Sequence, residues 1–576
     1  MAHEHISLDE FRDKFSATTE LSSVALGGRI VDVSDEFFAE AFHLLLVEPA
    51  PSLRGQFGPK GALYSGWESR RHNPTYDWCI IKLGTSGTIV GFDVDTSNFN
   101  GNEAPQVSVD ILHSLKGDPG VDDSRWSEVL PKVNLGPNSR HLFQIPPSAT
   151  TNYVKLNMYP DGGIARFRVY GHVAPVFPQD PSVPFDLAHV FAGGCVVYTS
   201  DQHFGVGSNI ILPGRGKDMG DGWETKRSRV PGHKDWAVVK LGAPGLLEYV
   251  EIDTAHFKGN YPESCEIHAL SSSTLLPSAF ALEGAPDGQR LPWTLVLPRT
   301  KLGSHRQHYF QLENVSGQAF THVKITIHPD GGLKRLRVVG RRADTPRYIE
   351  DSAVTIEQPA DAPFLPEIPK PVAGHAETLT VPVLPLTPEA FAPFGHVIQA
   401  YSDLDAAPRR TRITAANQGT ADKFHKLAPI ISSYPTEAGA SPGLSVYRCK
   451  PLQGIADDGT VVLATLERHP YTNQAFIPMG KAEGIEDPSD RYLVVVAHNG
   501  GDDKPDIKTL RAFVATSGQG IAYATGIWHQ PMTVLDKPLD MTCVETQIGD
   551  GSQADCEILE LNQAEQNIRL KLPRVM

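Results

Sequence analysis

Apolar residues in this chain come in short runs punctuated by turns. YDWCIIKLG (76–84) and KDWAVVKLG (234–242) are compact apolar segments closed by glycine, the form taken by buried strands. In IARFRVYG (164–171), Phe167 and Val169 alternate with Arg166 and Arg168, the period-2 pattern of a half-buried strand. TVVLATLE (460–467), RYLVVVAH (491–498) and LRAFVATS (510–517) add further strands. Pro160-Asp161-Gly162-Gly163 and Pro329-Asp330-Gly331-Gly332 are tight turns feeding the strands that follow. Helices are predicted at two places only. Ser7 and Glu10 form a capping box ahead of Phe11 and Phe15, and Thr387 caps a short helix after the strand in LTVPVLPLTPEAFAPFG (379–395). The fold class is therefore mainly β, of the β-sandwich or jelly-roll kind.

Several of these runs occur twice. LGGRIVDVSDEFF (26–38) is echoed by AGGCVVYTSDQHF (192–204), and GWESRRHN (66–73) by GWETKRSR (222–229). GFDVDTSNFNGN (91–102) returns as YVEIDTAHFKGN (249–260), and LNMYPDGGIARFRVYG (156–171) as ITIHPDGGLKRLRVVG (325–340). Matching blocks in one order predict two tandem copies of a single β-sandwich, at 19–175 and 176–345, behind a short segment 1–18. Residues 346–378 carry many prolines among acidic residues and read as a semi-rigid linker. Residues 379–576 share no block with the repeat and form a third, strand-rich domain.

The remaining bulk properties narrow the class. A chain of 576 residues exceeds one hydrophobic core. A net charge of −15 argues against nucleic-acid and anionic-membrane partners. The six cysteines form no CxxC pair and read as free thiols of a reducing compartment. With no secretory signal, no membrane-length apolar run and no peroxisomal address, the expected location is the cytoplasm.

Candidate chemistry gathers beside strands. In the third domain, inward side chains of a small barrel can converge on one cavity. His469, Gln474, Lys504, Arg511, Tyr523, His529 and Glu545 are its candidate acid–base groups and carboxylate-binding cations, with Asn417 a further candidate for substrate contact. His469 and His529 stand apart and no His-x-His occurs there, so spacing predicts no metal site. In the repeats, Glu68, Arg70 and Arg71 and their echoes Lys226 and Arg227 place cations beside an acid, a set suited to a small carboxylate. Asn102 and Asn260 join them, and Asp95, Asp253 and His256 are candidate proton carriers. The copies differ at Asn98 against His256, Asn100 against Lys258, and His72 against Ser228, which predicts functionally unequal copies.

The GWESRRHN, DVDTSNFNGN, GWETKRSR, DTAHFKGN and PDGG blocks resemble allantoicase across about residues 20–345. That resemblance implies two jelly-roll β-sandwiches cleaving allantoate to ureidoglycolate and urea. LERHPYTNQAFIPMG, DDKPDIKTLRAFVA, QGIAYATGIWHQP and DCE (555–557) resemble ureidoglycolate lyase from about residue 379 onward. This second resemblance implies a cupin-like β-barrel that splits ureidoglycolate into glyoxylate and urea. Gln530 departs from it, standing where that family often has a second histidine. Together the two imply a bifunctional enzyme whose substrates are the small molecules allantoate and ureidoglycolate, assembled as a homo-oligomer. On the lyase positions, His529 or His469 is the expected base, Arg511 or Lys504 the carboxylate clamp, and Tyr523 and Gln474 the ureido contacts. No cofactor is established by the sequence, and a divalent metal in the allantoicase part stays open. The alternative reading is a tandem jelly-roll binding platform, without catalysis, attached to a single active lyase domain.

Overall fold

The computed structural model describes residues 3–272, 291–343, 378–479, 490–561 and 567–573. The linker expected at 346–378 lies outside them except for Thr378. Each copy of the repeat is built around one 19-residue strand, Asp77–Asp95 in copy 1 and Asp235–Asp253 in copy 2. The first half of Asp77–Asp95 pairs with Arg29–Val33 and Thr150–Tyr159, the second half with Arg140–Gln144 and Arg166–Val173. One strand thus belongs to both layers of the sandwich. The sequence expectation that YDWCIIKLG ends at its glycine is corrected here, because the strand runs through Gly84 and Gly87. Those glycines mark close approaches: a Cβ would lie 2.5 Å from Leu26 Cβ at Gly84 and 2.6 Å from His172 O at Gly87.

Inward positions of the long strand fill the core. Cys79, Ile81, Leu83, Ile89, Phe92 and Val94 pack with Phe143, Leu156, Phe167 and Val169 in copy 1. Ala237, Val239, Leu241, Val250 and Ile252 do the same in copy 2. Trp67 and Trp223 are fully buried and donate Nε1–H to the carbonyls of Asp35 and Asp201, both at 2.8 Å. Asp161 and Asp330 accept from the backbone N–H of Asn73 and Ser228, tying each PDGG turn to the neighbouring GWE loop. These duplicated residues are scaffold.

Equivalent turns at Ser23 and His189 are capped differently. Ser23 Oγ accepts from Ala25 N at 3.2 Å, whereas His189 Nδ1 accepts from Phe191 N at 3.1 Å. Burial, helped by Arg337 and Arg335, pushes the His189 pKa down to about 3. In the unfolded chain it titrates near 6.5, so the unfolded state binds a proton that the native state refuses. His189 therefore contributes stability that is present above pH ~6.5 and lost progressively toward pH 3. His189→Ser keeps the cap and removes the titration. The difference in urea midpoint between pH 7 and pH 4.5 should shrink in this variant, and an unchanged difference would refute the assignment.

The third domain faces two sheets toward each other. One contains Leu379–Pro385, Arg511–Thr516, Arg491–Ala497, Trp528–His529 and Thr465–Arg468. The other runs Gly395–Ile398, Gly520–Tyr523, Gln474–Pro478, Leu539–Gln547 and Ser441–Cys449. RYLVVVAH is continuously apolar because both of its faces are covered. Tyr492, Val494 and Val496 point between the sheets, while Leu493, Val495 and Ala497 pack under the outer layer with Val381, Leu466 and Trp528. No helix among the described residues is long and apolar enough to cross a membrane.

Candidate active sites

In the third domain the inward face carries polar residues at positions where its neighbours are apolar. Along Leu539–Gln547, Met541 and Cys543 are buried and Glu545 follows them on the same face, 6% exposed. Buried polar groups are normally hydrogen-bonded, so those left unsatisfied against an apolar pattern call for an explanation. Gln474 Nε2 donates to Glu545 Oε2 at 2.9 Å, leaving Gln474 Oε1 buried and unpartnered. From the opposite sheet, register pairs Glu467 with His529, and His469 follows directly after that strand. One ligand atom each from Glu467, His469 and His529 lies within 4.8 Å of the others. The Tyr523 ring stacks on His529 at 3.9 Å and 13°, closing the cluster from the facing sheet.

The protons of both imidazoles are fixed by their partners. His469 Nδ1 faces the Asp555 carbonyl at 2.7 Å and His529 Nδ1 the Ile527 carbonyl at 3.0 Å. A carbonyl only accepts, so each Nδ1 carries the hydrogen and each Nε2 presents a free lone pair. Both Nε2 atoms are buried without a hydrogen-bond partner among the described residues. Burial, then the neighbouring His469, pushes His529 down to about 3, and burial also lowers His469. Both are neutral bases at neutral pH. Burial raises the Glu467 carboxyl, and it holds the Tyr523 phenol protonated with its OH unpartnered. Among the described residues, neither lysine nor arginine is a source of the charges acting on Glu467, His469 or His529.

The two cations expected as clamps lie elsewhere. Arg511 stands opposite Val496 and so on the inward face, but at the first residue of its strand. Its guanidinium is committed to Glu313 Oε1 of copy 2 at 2.8 Å and to the Lys508 and Leu510 carbonyls. Lys504 is exposed in the turn between Asn499 and Asp506. Asn417 occupies an exposed hairpin turn with φ of 49°. The residue missed in the sequence is Glu467, whose only signal was its place next to Leu466, which packs under the outer layer, so that alternation turns Glu467 to the face between the sheets.

In copy 1, Glu68 is 7% exposed and accepts from Asn102 Nδ2 at 3.0 Å. Burial raises its carboxyl, opposed by Asn102 and Arg71. Arg71 stands 4.0 Å from Glu68 and 3.5 Å from Asp161, a loose hold that leaves its fork accessible to a carboxylate. Arg70 is drawn away to Asp35 at 2.7 Å, and Asp95 caps the turn by accepting from Ser97 N. Copy 2 keeps the carboxylate–amide pair, Asn260 donating to Glu224 at 2.6 Å. Its Lys226 and Arg227 are exposed. Asp253 is sealed by a bidentate contact from Arg215 and by Ala255 N, so it is no free proton carrier. The His256 backbone N–H donates to His305 Nδ1 at 2.6 Å, and its ring packs edge-on against that of His305.

Comparisons with known proteins agree with this division. The allantoicase repeat model matches residues 19–174 and 185–343, and the ureidoglycolate lyase model matches 378–568. A probable allantoicase of Schizosaccharomyces pombe is 48% identical over 57% of this chain and 94% of its own length. An allantoicase of Neurospora crassa is 45% identical over 59% of this chain and 96% of its own. The crystal structure of Saccharomyces cerevisiae allantoicase aligns with a TM-score of 0.51 at 39% identity, covering 59% of this chain and 100% of that one. The chain belongs to the allantoicase family and carries, after its two allantoicase repeats, a ureidoglycolate lyase domain.

Proposed function

We propose that two separate centres divide the work, one at Glu68 in copy 1 and one at Glu467, His469 and His529 between the sheets of the third domain. The protein is a bifunctional enzyme of allantoin degradation. It converts allantoate and water to ureidoglycolate and urea, then ureidoglycolate to glyoxylate and urea. The observation that carries the second assignment is the convergence of three acceptor atoms, one each from Glu467, His469 and His529, within 4.8 Å of one another.

In the lyase step, the hydroxyl of the central carbon gives its proton to His529 Nε2. The C–N bond breaks as the carbonyl forms, its electron pair leaving on nitrogen, and the Tyr523 phenol protonates the departing urea. Gln474 Oε1 accepts from the ureido N–H, which positions the carbon. Glu467, His469 and His529 would alternatively fit a divalent transition metal, each imidazole having its Nδ1–H fixed by a carbonyl; His529 Nε2 would then be a ligand and not the base. When bound, such an ion supplies the positive charge for the substrate carboxylate. Equilibrium dialysis against Zn²⁺ or Ni²⁺ should show about one ion retained by the wild type and lost in His469→Ala, with Lys504→Ala unchanged. Equal retention in all three would exclude the site.

In the allantoicase step, water must be activated and the leaving urea nitrogen protonated. Glu68, raised by burial, gives its proton to the leaving urea nitrogen and, as the carboxylate so formed, takes one from the attacking water; Asn102 orients it, and Arg71 takes the substrate carboxylate. The test of the division is a pair of assays on the full chain, each with the other centre disabled. Retention of urea release from allantoate when the barrel cluster is disabled, together with retention of glyoxylate release when Glu68 is disabled, supports two centres. Loss of both rates from either change would mean one.

A further inference from the structure

Two of the loops that diverge between the copies meet the third domain. Asn98, Asn100, Asn138 and Ser139 of copy 1 stand where copy 2 has His256, Lys258, His305 and Arg306. Lys258 Nζ reaches Asp403 at 2.7 Å and Asp405 at 3.5 Å. Arg306 Nη2 donates to Glu389 Oε1 at 2.7 Å, and the two side chains are only 13% and 8% exposed. His308 Nε2 lies 3.8 Å from the other Glu389 oxygen. Removing one partner from such a buried pair strands the other's charge, so copy 2 fixes where Glu389 sits.

Glu389 belongs to the one-turn helix Pro388–Phe391, capped by Thr387 Oγ1 accepting from Ala390 N. A helix this short holds its place only through what it packs against. Ala390 packs on the core of copy 2 as well as on that of the barrel. Phe391 is fully buried in the barrel core, its ring 5.9 Å from Phe513 and 6.2 Å from Tyr523. Tyr523 is the ring that lies on His529. A continuous line of packed groups therefore runs from copy 2 to the lyase centre.

We propose that copy 2 serves as a positioning platform for the lyase centre. Arg306, through Glu389 and Phe391, sets the placement of Tyr523 over His529. Arg306 touches no reacting atom and is a positioning residue; the proposal rests on the roles given above to Tyr523 and His529. It also gives the divergence between copies a use other than catalysis in the repeat.

The test is made in the full chain, measuring glyoxylate from ureidoglycolate and urea from allantoate. Arg306→Ala and Glu389→Gln should each lower the lyase kcat about five- to tenfold with KM within about twofold, while allantoate cleavage is unchanged. The reversed pair R306E/E389R should restore at least half of the rate. In a Tyr523→Phe background, Arg306→Ala should add no further loss, because the route ends at that phenol. A lyase kcat within twofold of wild type in both single variants, an equal fall in both activities, or a full additional loss in the Tyr523→Phe background would each overturn it. Full lyase activity in Tyr523→Phe alone would remove the site assignment and this coupling with it.

Discussion

Replacing Tyr523 by Phe or His529 by Gln should lower glyoxylate formation by about 10²- to 10³-fold while urea release from allantoate stays at the wild-type rate. Tyr523→Phe is the cleaner change. It keeps the ring that stacks on His529 and deletes only an OH that has no partner among the described residues, so stability should be unaffected or slightly improved. The loss then reports the missing proton donor. His529→Gln removes the buried base, whose pKa of about 3 keeps it unprotonated well below neutral pH. Its loss should accordingly be independent of pH between about 5 and 8. Should both variants retain a third or more of the wild-type glyoxylate rate, the barrel cluster is not the centre.

Glu68→Gln should lower urea release from allantoate by about 10²-fold or more, with ureidoglycolate cleavage unaffected. The amide retains a partner for Asn102 but cannot release the proton that burial holds on the Glu68 carboxyl. Glu224→Gln should cost about tenfold or less. Glu224 is only half-buried where Glu68 is buried, and Asp253 in the same copy is bound by Arg215. Equal losses from the two substitutions would mean that the copies contribute alike, contrary to the unequal roles argued here. Arg71→Lys checks the clamp separately: a planar fork suits a carboxylate better than an ammonium, so KM for allantoate should rise more than kcat falls.

The fold was legible because duplication repeats its own evidence. Blocks such as YDWCIIKLG and KDWAVVKLG report the same buried strand twice, and the alternation in IARFRVYG gives its face. The length of that strand was not legible, since Gly84 reads as a stop in one dimension and is a close crossing in three. His469, His529, Gln474, Tyr523 and Glu545 could be singled out as polar residues beside strands. Their convergence depends on registers, such as Glu467 opposite His529 and Gln474 opposite Tyr523, that no spacing encodes. This is why His469 and His529, 60 positions apart in sequence, gave no metal signal although a ring nitrogen of each lies within 4.8 Å of the other. The differences at His256 and Lys258 were visible. Their meaning depended on a domain more than a hundred residues further along the chain.

The 19-residue strand shared by both layers has a consequence for how the chain is made. Asp77–Asp95 and Asp235–Asp253 have nearly the same apolar faces, and each can offer the other's partners a similar ladder. Exchange of such strands between neighbouring copies is a characteristic misassembly of tandem repeats. Emergence from the ribosome at about 5–20 residues per second gives copy 1 several seconds to close before the second long strand exists. Vectorial synthesis thus separates in time two segments that occupy equivalent places in the two copies. Refolding from denaturant removes that separation, and strand-exchanged species should accumulate there and not during translation.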